Sequence, residues 1–141
     1  LRNLSASVFF GGDPASPDTY QKFYTDIEMY TNGFSGTDPE TYMSGWICSE
    51  MAQKSNTWGG NNMPRWCNPE YDKLSAQMAK TAAMSERIKL AKAMNDMLMQ
   101  DYVMIPLIYR GSVSGASNTL KNVWMNGWDA ETWNIADWER Q

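Results

Sequence analysis

The chain has 141 residues, 43% hydrophobic and 20% charged, a globular composition with length for one core and too little for two comfortable domains. Its 12 Lys and Arg are scattered against 16 Asp and Glu, a net charge of -4, which argues against nucleic acid as the main partner because phosphate binding needs a clustered basic surface. No histidine is present, so Ser-His-Asp and Cys-His catalysis are excluded within the chain and the commonest metal ligand is missing.

The longest apolar run, residues 102–109, has strand length and falls far short of the roughly 20 residues that cross a bilayer. The start at Leu1, with no initiator methionine, signal peptide or lipid-attachment cysteine, reads as a piece of something longer.

Taken in chain order, residues 5–10 mix small apolar and aromatic types and predict a short strand, ended by the Gly- and Pro-punctuated loop at 11–18. In residues 19–33, Phe23, Thr25, Ile27 and Met29 alternate with Tyr24, Asp26, Glu28 and Tyr30, which predicts a half-buried strand closed by an Asn32-Gly33 turn. Asp38-Pro39 reads as a cap followed by proline at the first helical position, opening a helix to about Glu50. The Ser-, Asn- and Gly-rich stretch 52–64 is a surface loop.

Asn68-Pro69 repeats the cap-and-proline device, with Tyr71, Leu74 and Met78 on one helical stripe. A second helix is expected from a cap at Ser85, with Ile88, Ala91, Met94 and Leu98 facing inward, and the short link makes the pair a hairpin. Residues 103–109 are rich in β-formers and predict a strand with an edge or bulge at Pro106, which cannot donate to a ladder. The remainder alternates weakly and carries Trp124, Trp128, Trp133 and Trp138, a ring area that calls for a cover.

Cys48 and Cys67 are open to two readings: a disulfide that closes the intervening loop in an exported protein, or buried free thiols in a cytosolic one. Without histidine or a CxxC pair, no metal site is expected. Asp129, Glu131 and Asp137 among Trp128, Trp133 and Trp138 allow a glycosidase reading against a plainer one, a solvated acidic face. Phe34, Trp46, Trp58 and Trp66 either line a ligand cleft or fill core. Arg65 either clamps a ligand carboxylate or, preferably, pairs with Glu70 or Asp72 at the helix start.

The segments DPASPDTYQKFYTDIEMYTNG, GTDPETYMSGW, NNMPRWCNPEYDKL, SERIKLAKAMNDMLMQDYVMIPLIYR and WDAETWNIADW, in that order, resemble the C-terminal part of family 5 extracellular solute-binding proteins, the peptide, nickel and oligosaccharide receptors of ABC importers. The resemblance covers nearly the whole chain. It implies an α+β body, part of a periplasmic-binding-protein-like lobe with a mixed sheet and a helical hairpin. Residues 1–110 then belong to the second lobe, and residues 111–141 form a tail that returns to the first.

The implied role is non-catalytic. An oligopeptide or oligosaccharide is captured and delivered to an ABC permease, outside the cytoplasm, by a periplasmic or lipid-anchored protein that needs no cofactor. Export selects the disulfide between Cys48 and Cys67. Peptide-binding members carry a tryptophan and, three residues on, an aspartate that holds the ligand's α-amino group; here Asn32 and Ser35 take those positions, which favours a neutral ligand such as an oligosaccharide, or a peptide held differently. Ligand contact is expected at Asn32, Phe34, Ser35, Trp46, Trp58, Arg65 and Trp66, together with weak self-association as a homodimer. The alternative is a free-standing carbohydrate-binding module with an aromatic platform in the Trp-rich tail, and a glycoside hydrolase is a third reading.

Overall fold

The computed structural model describes residues 1–13, 16–33, 37–109, 111, 113–127 and 130–141. Along these run helices α1 (Ala6–Phe9), α2 (Glu40–Ser44), α3 (Pro69–Met78) and α4 (Met84–Gln100), and then strands β1 (Leu120–Lys121) and β2 (Glu139–Arg140). The chain divides into one unit of Leu1–Asn32 with Pro39–Ile105, and another of Gly33–Asp38 with Pro106–Gln141. The helices lie in the first unit and the strand pair in the second, a broadly α+β arrangement.

The start of α3 is the one the sequence implies. The Asn68 side-chain oxygen accepts from the Glu70 N–H at 3.0 Å, and Pro69 follows where its missing N–H costs nothing. Tyr71 and Met78 are fully buried, and the Tyr71 hydroxyl donates to the Met43 carbonyl at 2.8 Å. Helix α4 packs back on α3, and Arg87 closes the hairpin by donating to the Met78 and Thr81 carbonyls at 2.8 and 2.9 Å. Met78 is the last residue of α3 and Thr81 follows it in the link, a helix end where carbonyls lack helical partners and a cation is favoured.

Two details of α4 differ from expectation. The helix begins two residues earlier, with Ala83 at its cap and Ser85 inside the first turn. Its buried stripe is Leu90, Met94 and Leu98, whereas Ile88 is 47% exposed. At about 100° per residue, Ile88 lies about 120° around the helix from Met94. Trp46, Tyr71, Met78, Leu90, Met94 and Leu98 form the core, and Ala91 packs at its margin.

The strands expected at 5–10, 23–30 and 103–109 are not formed. Residues 5–10 make the single turn α1, and Phe9, Phe10, Tyr20 and Tyr30 gather in a cluster of edge-on and tilted rings at centroid distances of 5.0 to 6.1 Å. Residues 23–30 have no regular structure, Phe23 has φ +43°, and Ile27 and Met29 are exposed. Rings gather here in place of a ladder, so alternation had no sheet to serve. No turn forms at Asn32-Gly33. Residues 103–109 are likewise irregular and Ile105, Leu107, Ile108 and Tyr109 are exposed; Pro106 has no N–H and no strand lies beside them among the described residues.

The helix after Pro39 is five residues long, with Pro39 rather than Asp38 at its cap position. It gives way to a 3-10 turn at Cys48–Glu50. In the second unit β1 and β2 pair antiparallel, with Leu120 opposite Arg140 and Lys121 opposite Glu139. This pair is the sheet among the described residues, where a mixed sheet was expected. Buried Asn134 organises it, donating to the Asn122 carbonyl at 2.7 Å and accepting from the Trp138 indole at 3.0 Å.

Candidate functional site

Residues 51–62 form a loop whose ends are held together. Met51 and Asn62 make a parallel bridge, with Ala52 N–H donating to the Asn62 carbonyl at 3.1 Å and Asn62 N–H to the Glu50 carbonyl at 2.9 Å. Inside it, Gln53 and Asn56 form a capping box around the 3-10 turn Lys54–Asn56. The loop tip is strained: Thr57 and Trp58 have φ +54° and +63°, left-handed values that side chains with a Cβ rarely adopt. Gly60, at φ +117°, is where only glycine fits, since a Cβ would come within 2.3 Å of the Glu50 carbonyl oxygen.

The base of the loop is doubly tied. Cys48 and Cys67 form a disulfide with their Cα atoms 4.7 Å apart. Beside it the buried Asn62 amide donates to the carbonyls of Trp46, Ile47 and Trp66 at 3.1, 3.2 and 2.6 Å. The loop therefore has a shape of its own, carried on the helical hairpin.

Trp58 is the focus of the site. Lys22 Nζ and Arg65 Cζ stand 5.2 and 5.5 Å from its ring centroid, and Tyr24 meets it edge-on at 5.7 Å. Each cation–π contact is worth about 0.5–2 kcal/mol, rising with desolvation. Arg65 also sews the loop down: its Nε donates to the Ala52 carbonyl at 2.8 Å and its Nη2 to the Lys22 carbonyl. Lys22 is 95% buried by its 5% exposure, and its Nζ donates to the Ser16 carbonyl at 3.0 Å.

Arg65 also acts on Glu28. The Glu28 side chain is only partly covered, yet its Oε2 is sealed from solvent with no hydrogen-bond partner. Burial pushes its pKa up to about 7, against the pull of the Arg65 guanidinium. Burial, with Glu28 adding to it, also pushes Tyr30 up to about 12.

Against Trp58 lies a pocket of about 150 Å³ lined by Gly12, Asp13, Thr19, Gln21, Lys22, Thr57, Trp58 and Gly59. Enclosing a drug-sized ligand takes about 300–1,000 Å³, so this is room for a single small ring or side chain.

Of the residues expected to contact ligand, the structure brings Trp58 and Arg65 together. Trp46 is buried in the core against Tyr42, at 6.0 Å. Trp66 packs on Tyr71 at 5.1 Å and donates its indole N–H to Asp101 at 2.9 Å. Asn32 is exposed and does not line the pocket; Phe34 and Ser35 lie outside the described residues. The expected pairing of Arg65 is corrected: Glu70 pairs with Lys73 at 2.6 Å and Asp72 accepts from Cys48 N–H at 3.0 Å. With both carboxylates engaged, the guanidinium turns to backbone carbonyls. Lys22 and Thr19 escaped the sequence reading because a buried lysine has no periodic signature and lysine is ordinarily a surface residue.

In the second unit, Trp124 and Trp133 are 56% and 45% exposed, with centroids 6.4 Å apart and planes tilted by 41°. The Trp133 indole N–H donates to the Trp124 carbonyl at 2.8 Å. Glu131 accepts from the Ser114 hydroxyl at 2.7 Å, which lowers its pKa; a glycosidase acid needs the opposite shift. Asp129 and Trp128 lie outside the described residues.

No group of potential metal ligands occurs among the described residues, and no helix among them is long and apolar enough to cross a membrane. No protein-family model, curated protein or solved structure matches the chain.

Proposed function

We propose that this chain is the C-terminal portion of an extracytoplasmic solute-binding protein, non-catalytic, which captures a peptide or oligosaccharide for an ABC import permease. The observation that carries the reading is the closed loop, tied at its base by Cys48–Cys67, that holds Trp58 against a pocket with the Arg65 guanidinium over the same ring. A rigid loop presenting an amphipathic ring and a cation is what a capture surface needs, and a disulfide suits a protein that works outside the cytoplasm.

On this reading residues 1–110 are part of the second, binding-protein-like lobe and residues 111–141 return to the first. The exposed Ile105, Leu107, Ile108 and Tyr109, the last at 98%, support a cover supplied by the rest of such a protein, or by weak pairing with a second copy. A second reading, a free-standing carbohydrate-binding module, draws on the solvated Trp124 and Trp133. The tilt between those rings is less suited to a flat platform.

The test is a thermal-shift screen of the chain with separate panels of short peptides and oligosaccharides. A hundredfold excess over Kd stabilises by about 2.7 kcal/mol. Capture requires a saturable shift from one panel that is weakened in the Trp58→Ala variant. A shift that survives Trp58→Ala and disappears in Trp124→Ala points to the module, and no shift from any compound removes both.

A further inference from the structure

Resting on the solute-capture reading, we infer that the Trp58 pocket is a saccharide subsite: one neutral sugar ring sits against the indole, its hydroxyls on Asp13, Thr19, Gln21, Lys22 and Thr57. Among the described residues no aliphatic side chain lines this pocket. A subsite for an apolar peptide side chain is lined mainly by hydrophobic groups. Here the lining offers a carboxylate, an ammonium, an amide and two hydroxyls around a single indole.

That inventory both donates and accepts in quick alternation. A ligand that adds hydrogen bonds to such a lining carries donors and acceptors on neighbouring atoms, with one less polar face for the ring. Sugar hydroxyls and ring C–H groups meet this description. The opposite charges of Asp13 and Lys22, both on the lining, favour no net charge on the ligand, because an ion of either sign would meet a like charge as well as an opposite one.

The wall is also set in advance. Thr57 and Trp58 of the lining, and Arg65 over the Trp58 ring, take left-handed φ, +54°, +63° and +57°, a conformation that costs energy and persists only where surrounding contacts hold it. Trp58 N–H donates to the Gln53 carbonyl at 2.9 Å, Arg65 reaches the Ala52 and Lys22 carbonyls, and Lys22 is held by Ser16. A ring held in this way recognises a ligand without first paying to order itself.

The experiment is an NMR titration of the ¹⁵N-labelled chain, reading the tryptophan indole N–H signals against maltotriose, cellotriose, trialanine and a lysine-containing tripeptide. The expected result is a saturable displacement of the Trp58 signal by a trisaccharide, assigned by its loss in Trp58→Phe and Trp58→Ala. Affinity should fall at least about tenfold in Trp58→Ala, equivalent to about 1.4 kcal/mol, with a smaller fall in Gln21→Ala and none in Ile88→Ala. Displacement of Trp58 by a tripeptide and not by sugars overturns the saccharide assignment and leaves solute capture standing. Sugar-induced shifts confined to Trp124 and Trp133 overturn the subsite and favour the module, and silence of every indole overturns subsite and capture together.

Discussion

The side-chain amide of Asn62 donates to the Trp66 carbonyl at 2.6 Å, and the same nitrogen reaches the carbonyls of Trp46 and Ile47. One fully buried amide thus fastens the end of the α2 segment to the residues that lead into α3. Asn62→Ala leaves those acceptors without this donor in a place that water does not reach, at a cost of about 2–3 kcal/mol. Asn62→Asp should be worse, since a carboxylate would face carbonyl oxygens. Urea midpoints for the two variants, interpreted at unchanged m-value, check the order; an Asp variant as stable as the parent would show that the junction does not depend on this amide.

The disulfide spans the same junction, with Cys48 next to Ile47 and Cys67 next to Trp66. Its loop of about 19 residues corresponds to roughly 3 kcal/mol in the chain-entropy account. The paired variant Cys48→Ser with Cys67→Ser should lose that stability yet keep its fold, because Asn62 still holds the junction. Losses in the cysteine variant and in Asn62→Ala should not add, since the two ties share neighbours. Thermal denaturation of the single-tie and no-tie variants measures the coupling.

What the sequence made legible is mostly local. The Asn68-Pro69 start, the hairpin and the 52–64 loop follow from caps, proline placement and composition, whose causes act within a few residues. The failed strands at 5–10, 23–30 and 103–109 depended on partners that period-2 patterns do not identify. Of the α4 stripe, Ala91, Met94 and Leu98 face the core and Ile88 alone failed, Leu90 being buried in its place, in a helix where methionines at several positions blur the apolar face. At the site, Trp58 and Arg65 were legible as a costly ring and cation in a loop. Lys22 was not, because its burial follows from the path of the chain between Ser16 and Trp58.

Gly60 marks the tightest backbone approach in the loop. At φ +117° an alanine is strained whatever its surroundings, and its Cβ would meet the Glu50 carbonyl at 2.3 Å and displace it. Strain of this kind costs about 1–3 kcal/mol, and the displaced carbonyl is the one that accepts from Asn62 N–H. Gly60→Ala should therefore lower stability and weaken the Met51–Asn62 bridge, seen as faster amide exchange at Asn62. Unchanged exchange at Asn62 would mean that the loop closes without this contact.

Leu90 and Ile88 make a paired test of the α4 stripe. Leu90 is in the core cluster and Ile88 is exposed. Leu90→Ala removes buried methyl groups and leaves a cavity, costing about 2–5 kcal/mol, while Ile88→Ala on the outer face should stay within about 0.5 kcal/mol. Equal losses in guanidinium denaturation would return the helix to the stripe expected from sequence.

Glu28 gives the chain a pH dependence of definite sign. Its folded pKa, about 7, lies above the ordinary 4.5, so the folded chain holds this proton more tightly than the unfolded one. The stability it contributes is fully present below about pH 4.5 and is lost as pH rises through about 7. Burial is the main cause and Arg65 opposes it, so the two neighbours should be separable. Glu28→Gln keeps the shape, removes the titration, and should flatten the fall in Tm over that window relative to the parent. Arg65→Met, which removes the opposing charge, should move the midpoint of the fall to higher pH. A parent and Glu28→Gln pair whose Tm values run parallel across the whole window would place this carboxylate in water rather than sealed from solvent near Arg65.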